Sequence, residues 1–234
     1  MARWSWSITR WPTARLPQSS ALPPSSILPE TACMPETLAA TSPIPSAPFI
    51  PPGGEQAARV TIGPGPDLQL ASMQFSPASH AAVQTALMAA YGVEAPVTSH
   101  ARDGRDAVRF IWAGPDQWLV CAPQGQADLL DGLRRVTQPH AAITAQGDGR
   151  SVIRVRGPDS RAILSKLVPI DLHPRAFAPD STALTLAGHI PVQILQHDMT
   201  PTYDLFVFRS LAHSLYHDLC HAARGGVPVS EVCP

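Results

Sequence analysis

Three histidines, His213, His217 and His221, lie four residues apart near the end of the chain. On a helix, two rings at that spacing share a face and can hold a zinc ion between them. All three cannot, because eight residues rise about 12 Å along a helix axis while zinc sits about 2 Å from its ligands. No glutamate stands beside them as a general base, and Leu211, Leu215 and Leu219 supply the apolar stripe of the same stretch. The histidines are therefore expected on the opposite face, toward solvent or another subunit.

Asp171 and His173 flank Leu172, and in extended chain such residues point the same way, as an Asp–His relay requires. A hydrolase also needs an activated serine or cysteine and an oxyanion hole, and there is no G-x-S-x-G elbow. Asp171 and His173 are read instead as hydrogen-bonding to backbone and fixing a bent, proline-rich connection. Arg209, at a strand-to-helix junction, is either a surface charge or an ion-pair anchor. Gly63-Pro64-Gly65-Pro66 cannot cradle phosphate, since proline supplies no N–H, and is expected to be a rigid turn. Cys33, Cys121, Cys220 and Cys233 contain no C-x-x-C pair, so they read as buried or incidental thiols in a reducing compartment. These residues assign no catalytic, cofactor-binding or metal-binding group, and the chain reads as a binding or structural module.

The elements that must position them begin after a compositional break. Residues 1–52 hold 11 of the 26 prolines, with no hydrophobic periodicity. Residues 1–58 are therefore expected to be a disordered Pro/Ser-rich extension, despite Trp4, Trp6 and Trp11 lying among arginines as in a targeting peptide. From Arg59 the pattern is regular. It predicts a strand over 68–75, a helix over 78–91 capped by Gly92, and a hairpin of 108–112 with 117–121 about Gly114-Pro115-Asp116. A helix over 126–136 and a strand over 141–145 complete a β-α-β-β-α-β order, the ferredoxin-like split unit.

A similar block follows: a strand over 151–156, a helix from Gly157-Pro158-Asp159 to about Leu167, strands near 182–187, 191–196 and 203–208, and a closing helix over 209–223. The expectation is an α+β protein with antiparallel sheets, divided into a first unit at 59–146, a second at 147–224 and a tail at 225–234.

Composition narrows the function classes. The net charge is −1, charged residues make up 15%, and Lys166 is the only lysine, so no basic patch for nucleic acid or a membrane surface is expected. No apolar run approaches the roughly 20 residues of a membrane span, and a cytoplasmic protein is expected.

Four ordered segments resemble the heterotetrameric sarcosine oxidase gamma subunit family. Trp112-Ala113-Gly114-Pro115-Asp116-Gln117-Trp118-Leu119 is similar to its W-x-G-P-D-E-W-L stretch, with Gln117 where Glu is usual. Gly149-Arg150-Ser151 and then Gly157-Pro158-Asp159-Ser160-Arg161-Ala162-Ile163-Leu164 resemble its G-R and G-P-x-A-R-x-v-L block. Pro169-Ile170-Asp171-Leu172-His173-Pro174-Arg175-Ala176-Phe177 is similar to P-x-D-L-H-P-x-x-F. Thr202-Tyr203-Asp204-Leu205 with Arg209-Ser210-Leu211-Ala212 resembles the family's ending, Leu211 replacing an aromatic.

The resemblance implies a fold like part of the folate-binding aminomethyltransferases. It implies a non-catalytic subunit that packs against an alpha subunit, with beta and delta subunits completing the complex. That complex demethylates sarcosine oxidatively to glycine, with hydrogen peroxide and 5,10-methylenetetrahydrofolate as products. FAD, FMN, NAD, zinc and tetrahydrofolate are then expected in the partner subunits and none in this chain. Asp171, His173, Pro174, Phe177, Arg209 and Ser210 are the expected contacts to the alpha subunit. Two other readings remain: a gamma-like subunit of an N-methylglutamate dehydrogenase, and a stand-alone folate-binding one-carbon transferase.

Overall fold

A computed structural model describes residues 41–51, 59–125 and 128–224. Ten strands and four α-helices follow in the order β1 (Thr61–Pro64), β2 (Leu68–Phe75), α1 (His80–Tyr91), β3 (Ala101–Asp103), β4 (Arg109–Trp112), β5 (Gln117–Pro123), α2 (Leu129–Thr137), β6 (Ala141–Ala145), β7 (Arg150–Arg156), α3 (Ser160–Leu164), β8 (Thr182–Ala187), β9 (Ile190–Gln196), β10 (Thr202–Phe208) and α4 (Ala212–Ala223). They build two five-stranded antiparallel sheets, ordered β3-β4-β5-β2-β6 and β1-β7-β10-β9-β8. The first contains the ferredoxin-like unit whole: β5 lies between β2 and β4, the two strands joined through α1, and β3 is added at the edge. In the second, the β8-β9-β10 meander returns to β7, so two strands rather than one separate β7 from β8.

Alternation along the strands sorts side chains into layers. Ala71, Met73, Phe75, Phe110 and Val120 pack under Val83 and Leu87 of α1 and Leu133 of α2. Ile153, Val155, Tyr203 and Leu205 pack under Leu164 of α3 and Leu215 and Leu219 of α4. The opposite faces of the sheets meet through Leu70, Ile111, Leu119, Cys121, Leu195 and Phe206. The order is helices, sheet, sheet, helices, and the sheet-to-sheet seam lies at the centre.

Several boundaries differ from the sequence expectation, each for a local reason. The side chain of Asp128 accepts N–H bonds from Leu130 and Asp131 at 2.9 and 3.2 Å, so α2 starts at Leu129 rather than 126. Helix α3 stops at Leu164 rather than Leu167, with Pro169 disfavouring helical backbone at Val168. Gly63-Pro64 is not a turn: both residues close β1, and the Gly65 N–H continues to the Val152 carbonyl at 2.8 Å. Proline is tolerated there because β1 is an edge strand. A Cβ on Gly65 would stand 2.5 Å from Val152 Cγ1, which is why the approach needs glycine.

Strand β1 pairs with β7, from Thr61 opposite Arg156 to Pro64 opposite Ile153. The second sheet thus takes a strand from within the expected first unit, 59–146, one that precedes every strand of the first sheet in the chain. Residues 41–51, expected to lack structure, are also held: Ile44 is buried in the core, and Phe49 and Ile62 exchange backbone hydrogen bonds at 2.6 and 3.0 Å. Apolar contacts at Ile44 and Phe49 offset the ordering entropy that the prolines alone suggested would win. The remainder of the expected disordered extension and the tail after Arg224 lie outside the described residues, as do Cys33 and Cys233.

Candidate functional site

Strands β7 and β10 run antiparallel with Arg154 opposite Asp204, Val152 opposite Phe206 and Arg150 opposite Phe208. These six residues are two apart along each strand, so their side chains occupy one face of the sheet, the face that looks into the seam.

Asp204 is 1% exposed. Arg154 grips it with two bonds, Nε to Oδ1 at 2.7 Å and Nη2 to Oδ2 at 2.8 Å. His197, just past β9, lies with its Nε2 2.7 Å from Oδ2. On its other side, His197 Nδ1 is 3.0 Å from Arg109 Nη1. A guanidinium only donates, so Nδ1 must accept and Nε2 carries the proton given to Asp204. Arg109 comes from the first sheet and is held in turn by Asp103 at 2.5 and 2.8 Å and by Asp180 at 3.0 Å. The chain Arg109–His197–Asp204–Arg154 therefore ties one sheet to the other through hydrogen bonds.

Burial acts to raise the Asp204 carboxyl, but the bonds from Arg154 and His197 and their charge outweigh it, leaving the group below its ordinary value. A cavity of about 140 Å³ adjoins this network, with Cys121, Leu68 and Phe206 among its walls. Burial pushes the Cys121 thiol up to about 12, so the thiolate needed for nucleophilic attack is not formed near neutral pH.

The His197–Asp204 pair has two members of a relay, yet the free nitrogen of His197 meets Arg109 and not a hydroxyl or thiol. It activates nothing. Arg109, His197, Asp204 and Arg154 are each committed to another of these groups, so a cofactor could recruit one only by breaking a bond. The arrangement stabilises and orients the strands that carry it.

The six residues expected at an interface fall in two places. Asp171 Oδ1 accepts the His173 N–H at 2.8 Å, and His173 Nδ1 accepts the Arg175 N–H at 3.2 Å. The two side chains bind backbone rather than each other, as expected of a fixed bend. His173 and Pro174 are exposed, whereas Phe177 is buried in the core with its ring centroid 6.4 Å from that of Tyr203. Phe177 anchors the loop and is not on its surface.

Arg209 and Ser210 are exposed at the end of β10. The Arg209 N–H bonds to the Gly149 carbonyl at 3.0 Å, and its Nη2 donates to the Thr41 carbonyl. The anchor is thus a backbone carbonyl and not an acid. On α4, Leu215 and Leu219 are buried and His213 is exposed, while His217 and His221 are partly covered. Among the described residues, no three His, Cys, Asp or Glu side chains gather as a metal site, and no helix is long and apolar enough to cross a membrane.

Sequence reasoning missed the seam network. Arg109 and His197 are 88 residues apart, and no motif joins them. A signal did exist: Asp204 inside the apolar run Tyr203–Phe208 and Arg154 between Ile153 and Val155 are charges at strand positions that must be covered.

Comparison with known proteins places this geometry. The profile of the sarcosine oxidase, gamma subunit family matches residues 75–224. Sarcosine oxidase subunit gamma of Corynebacterium sp. (strain U-96) is 35% identical over 109 residues, 46% of this chain and 53% of that one. The Arthrobacter sp. subunit gamma is 30% identical over 115 residues, 49% of this chain and 55% of that one. The chain thus spans about half the length of the curated relatives it matches.

Among solved structures, heterotetrameric sarcosine oxidase from Corynebacterium sp. U-96, in complex with pyrrole 2-carboxylate, has a chain matched with a TM-score of 0.63 at 28% identity. The match covers 74% of this chain and 88% of that one. Glycine cleavage system aminomethyltransferase T from Bartonella henselae matches at a TM-score of 0.55 and 14% identity, over 70% of this chain and 46% of that one, which speaks for the fold alone. The two packed sheets and the ordered motifs on them agree with the profile match over most of the described chain, and the protein belongs to the sarcosine oxidase gamma subunit family.

Proposed function

We propose that this chain is the gamma subunit of a heterotetrameric sarcosine oxidase, acting in assembly against the alpha subunit with no catalytic group of its own. The observation that carries this reading is the match over 88% of a chain from the heterotetrameric enzyme. The seam supports it, because its charges are bound to one another and its histidine faces an arginine where a nucleophile would have to be. In this reading the complex, with beta and delta subunits, demethylates sarcosine oxidatively to glycine. FAD, FMN, NAD, zinc and tetrahydrofolate sit in the partner subunits, and the complex works in the cytoplasm.

The test is co-expression of the full chain with the alpha, beta and delta subunits, then omission of this chain. The expected result is loss of the assembled complex, with turnover per remaining complex unchanged. A chain that runs as a stable monomer and leaves the flavin-bearing subunits behind would sink the reading. Oxidation of N-methylglutamate in preference to sarcosine by the purified complex would move it to the related dehydrogenase.

A further inference from the structure

The face that carries the Arg154–Asp204 pair ends at a second arginine with a different environment. Arg150 is half-buried, and its guanidinium carbon lies 5.0 Å from the centroid of the Phe208 ring. Its Nε is buried with no hydrogen-bond partner, and no acid of the described residues forms an ion pair with it. Burial lowers its pKa with no carboxylate acting against that shift. Asp148, two residues away, is exposed and forms no pair with it.

Phe208 itself is 45% exposed, one of the large apolar side chains left on the surface. Arg209 follows it, also exposed, and forms no ion pair among the described residues. The patch thus combines two positive charges and an exposed aromatic ring, and no acid of the described residues forms an ion pair with either charge. A half-buried guanidinium without a counter-ion is costly to keep, and such charges in folded proteins are ordinarily matched.

We propose that Arg150, Phe208 and Arg209 form a docking patch for an acidic segment of the alpha subunit. One of its carboxylates would close on the Arg150 fork, and an apolar side chain would cover Phe208. The assignment rests on the assembly role proposed above and adds the chemistry of the contact. A carboxylate suits the site because a guanidinium presents paired N–H groups that a carboxylate accepts together. Arginine and aromatic side chains are also the residues on which interface energy concentrates. The Phe208 ring holds the guanidinium in place before the partner arrives, so less ordering opposes association.

The experiment is a competition. Two copies of the full chain with different tags, wild type and variant, are co-expressed with the alpha, beta and delta subunits, and their shares in the purified complex are compared. Arg150→Met is expected to fall behind wild type by about 10-fold or more, and Phe208→Ala by a comparable factor. Arg150→Lys, which keeps the charge but not the fork, should fall between. Raising the ionic strength should narrow the gap between wild type and Arg150→Met, since the ion pair is screened.

Equal shares for Arg150→Met and wild type would overturn the docking patch while leaving the assembly role standing. A lowered melting temperature for Arg150→Met with an unchanged share would mean that an acid of the chain itself closes on Arg150, and would also overturn it. Failure of the wild-type chain to join the complex would remove both readings together.

Discussion

Arg154 and Arg150 stand on the same strand, on the same face, four residues apart, and their surroundings are opposite. Arg154 meets Asp204 through two bonds under the cover of the first sheet, and His197 completes the carboxylate's shell. Arg150 meets an exposed phenylalanine and forms no ion pair with an acid of the described residues. Between them, Val152 and Phe206 form an apolar rung. The difference teaches where this chain is complete in itself. Inside the seam the Asp204 carboxylate is closed off from solvent, so it must find its counter-charge within the fold, since the penalty for an unmatched one is several kcal/mol. At the end of the ladder Phe208 is exposed, and no acid of the described residues pairs with Arg150.

The sharpest way to break this comparison is to remove the carboxylate. Asp204→Ala leaves Arg154 and the His197 contact without an acceptor, and a loss of about 3 kcal/mol is expected, the low end for a broken buried pair because Arg154 keeps some access to water. Denaturant unfolding of the purified protein measures it. A loss under about 0.5 kcal/mol would mean the seam does not depend on its charges, and the contrast with Arg150 would lapse.

Acid offers a second handle. Because the folded Asp204 carboxyl is held below its ordinary value near 3.8, the unfolded chain takes up a proton first as pH falls. Its contribution is therefore fully present above that value and is lost as pH drops through the lower folded one. Melting temperatures measured from pH 6 to pH 3 should fall for wild type, and the fall should be shallower for Asp204→Asn.

His197→Gln should cost less, about 1 kcal/mol, since a glutamine can restore one of the two bonds and the Arg154 fork is untouched. A thiol reagent sharpens the seam's isolation further: Cys121 should stay unlabelled in the native protein at pH 8 and react on unfolding. The smallest effect is expected at the open end. Arg150→Met should change the stability of the chain by less than about 0.5 kcal/mol, as the substitution breaks no internal ion pair.

Strands β2, β6 and β8 were legible to the residue, because short, largely apolar runs bounded by Pro, Gly, Asp and Ser read as strands. The short β3 was not, since Ala101-Arg102-Asp103 offers no alternation to read. β1 was read as a turn because glycine and proline usually punctuate, and only an edge position with Val152 pressed against it accounts for a strand there. The Asp171–His173 bend was legible for a different reason: Asx-type bonds span two residues and need no distant partner.

What the sequence determined by itself was local or cumulative. Helix and strand periods, caps, the bend at Asp171 and the ordered family motifs all depend on residues near one another in the chain. Tertiary structure alone decided which charges would be neighbours. Arg109, Arg154, His197 and Asp204 come from four separate stretches, and their meeting depends on the register of β7 with β10 and on the approach of two sheets. The same folding step left Arg150 half-buried beside Phe208, with no ion pair to an acid of the described residues. Two arginines with the same strand alternation have different neighbours because the counter-charge is set by what packs beside a side chain, and sequence spacing does not contain that.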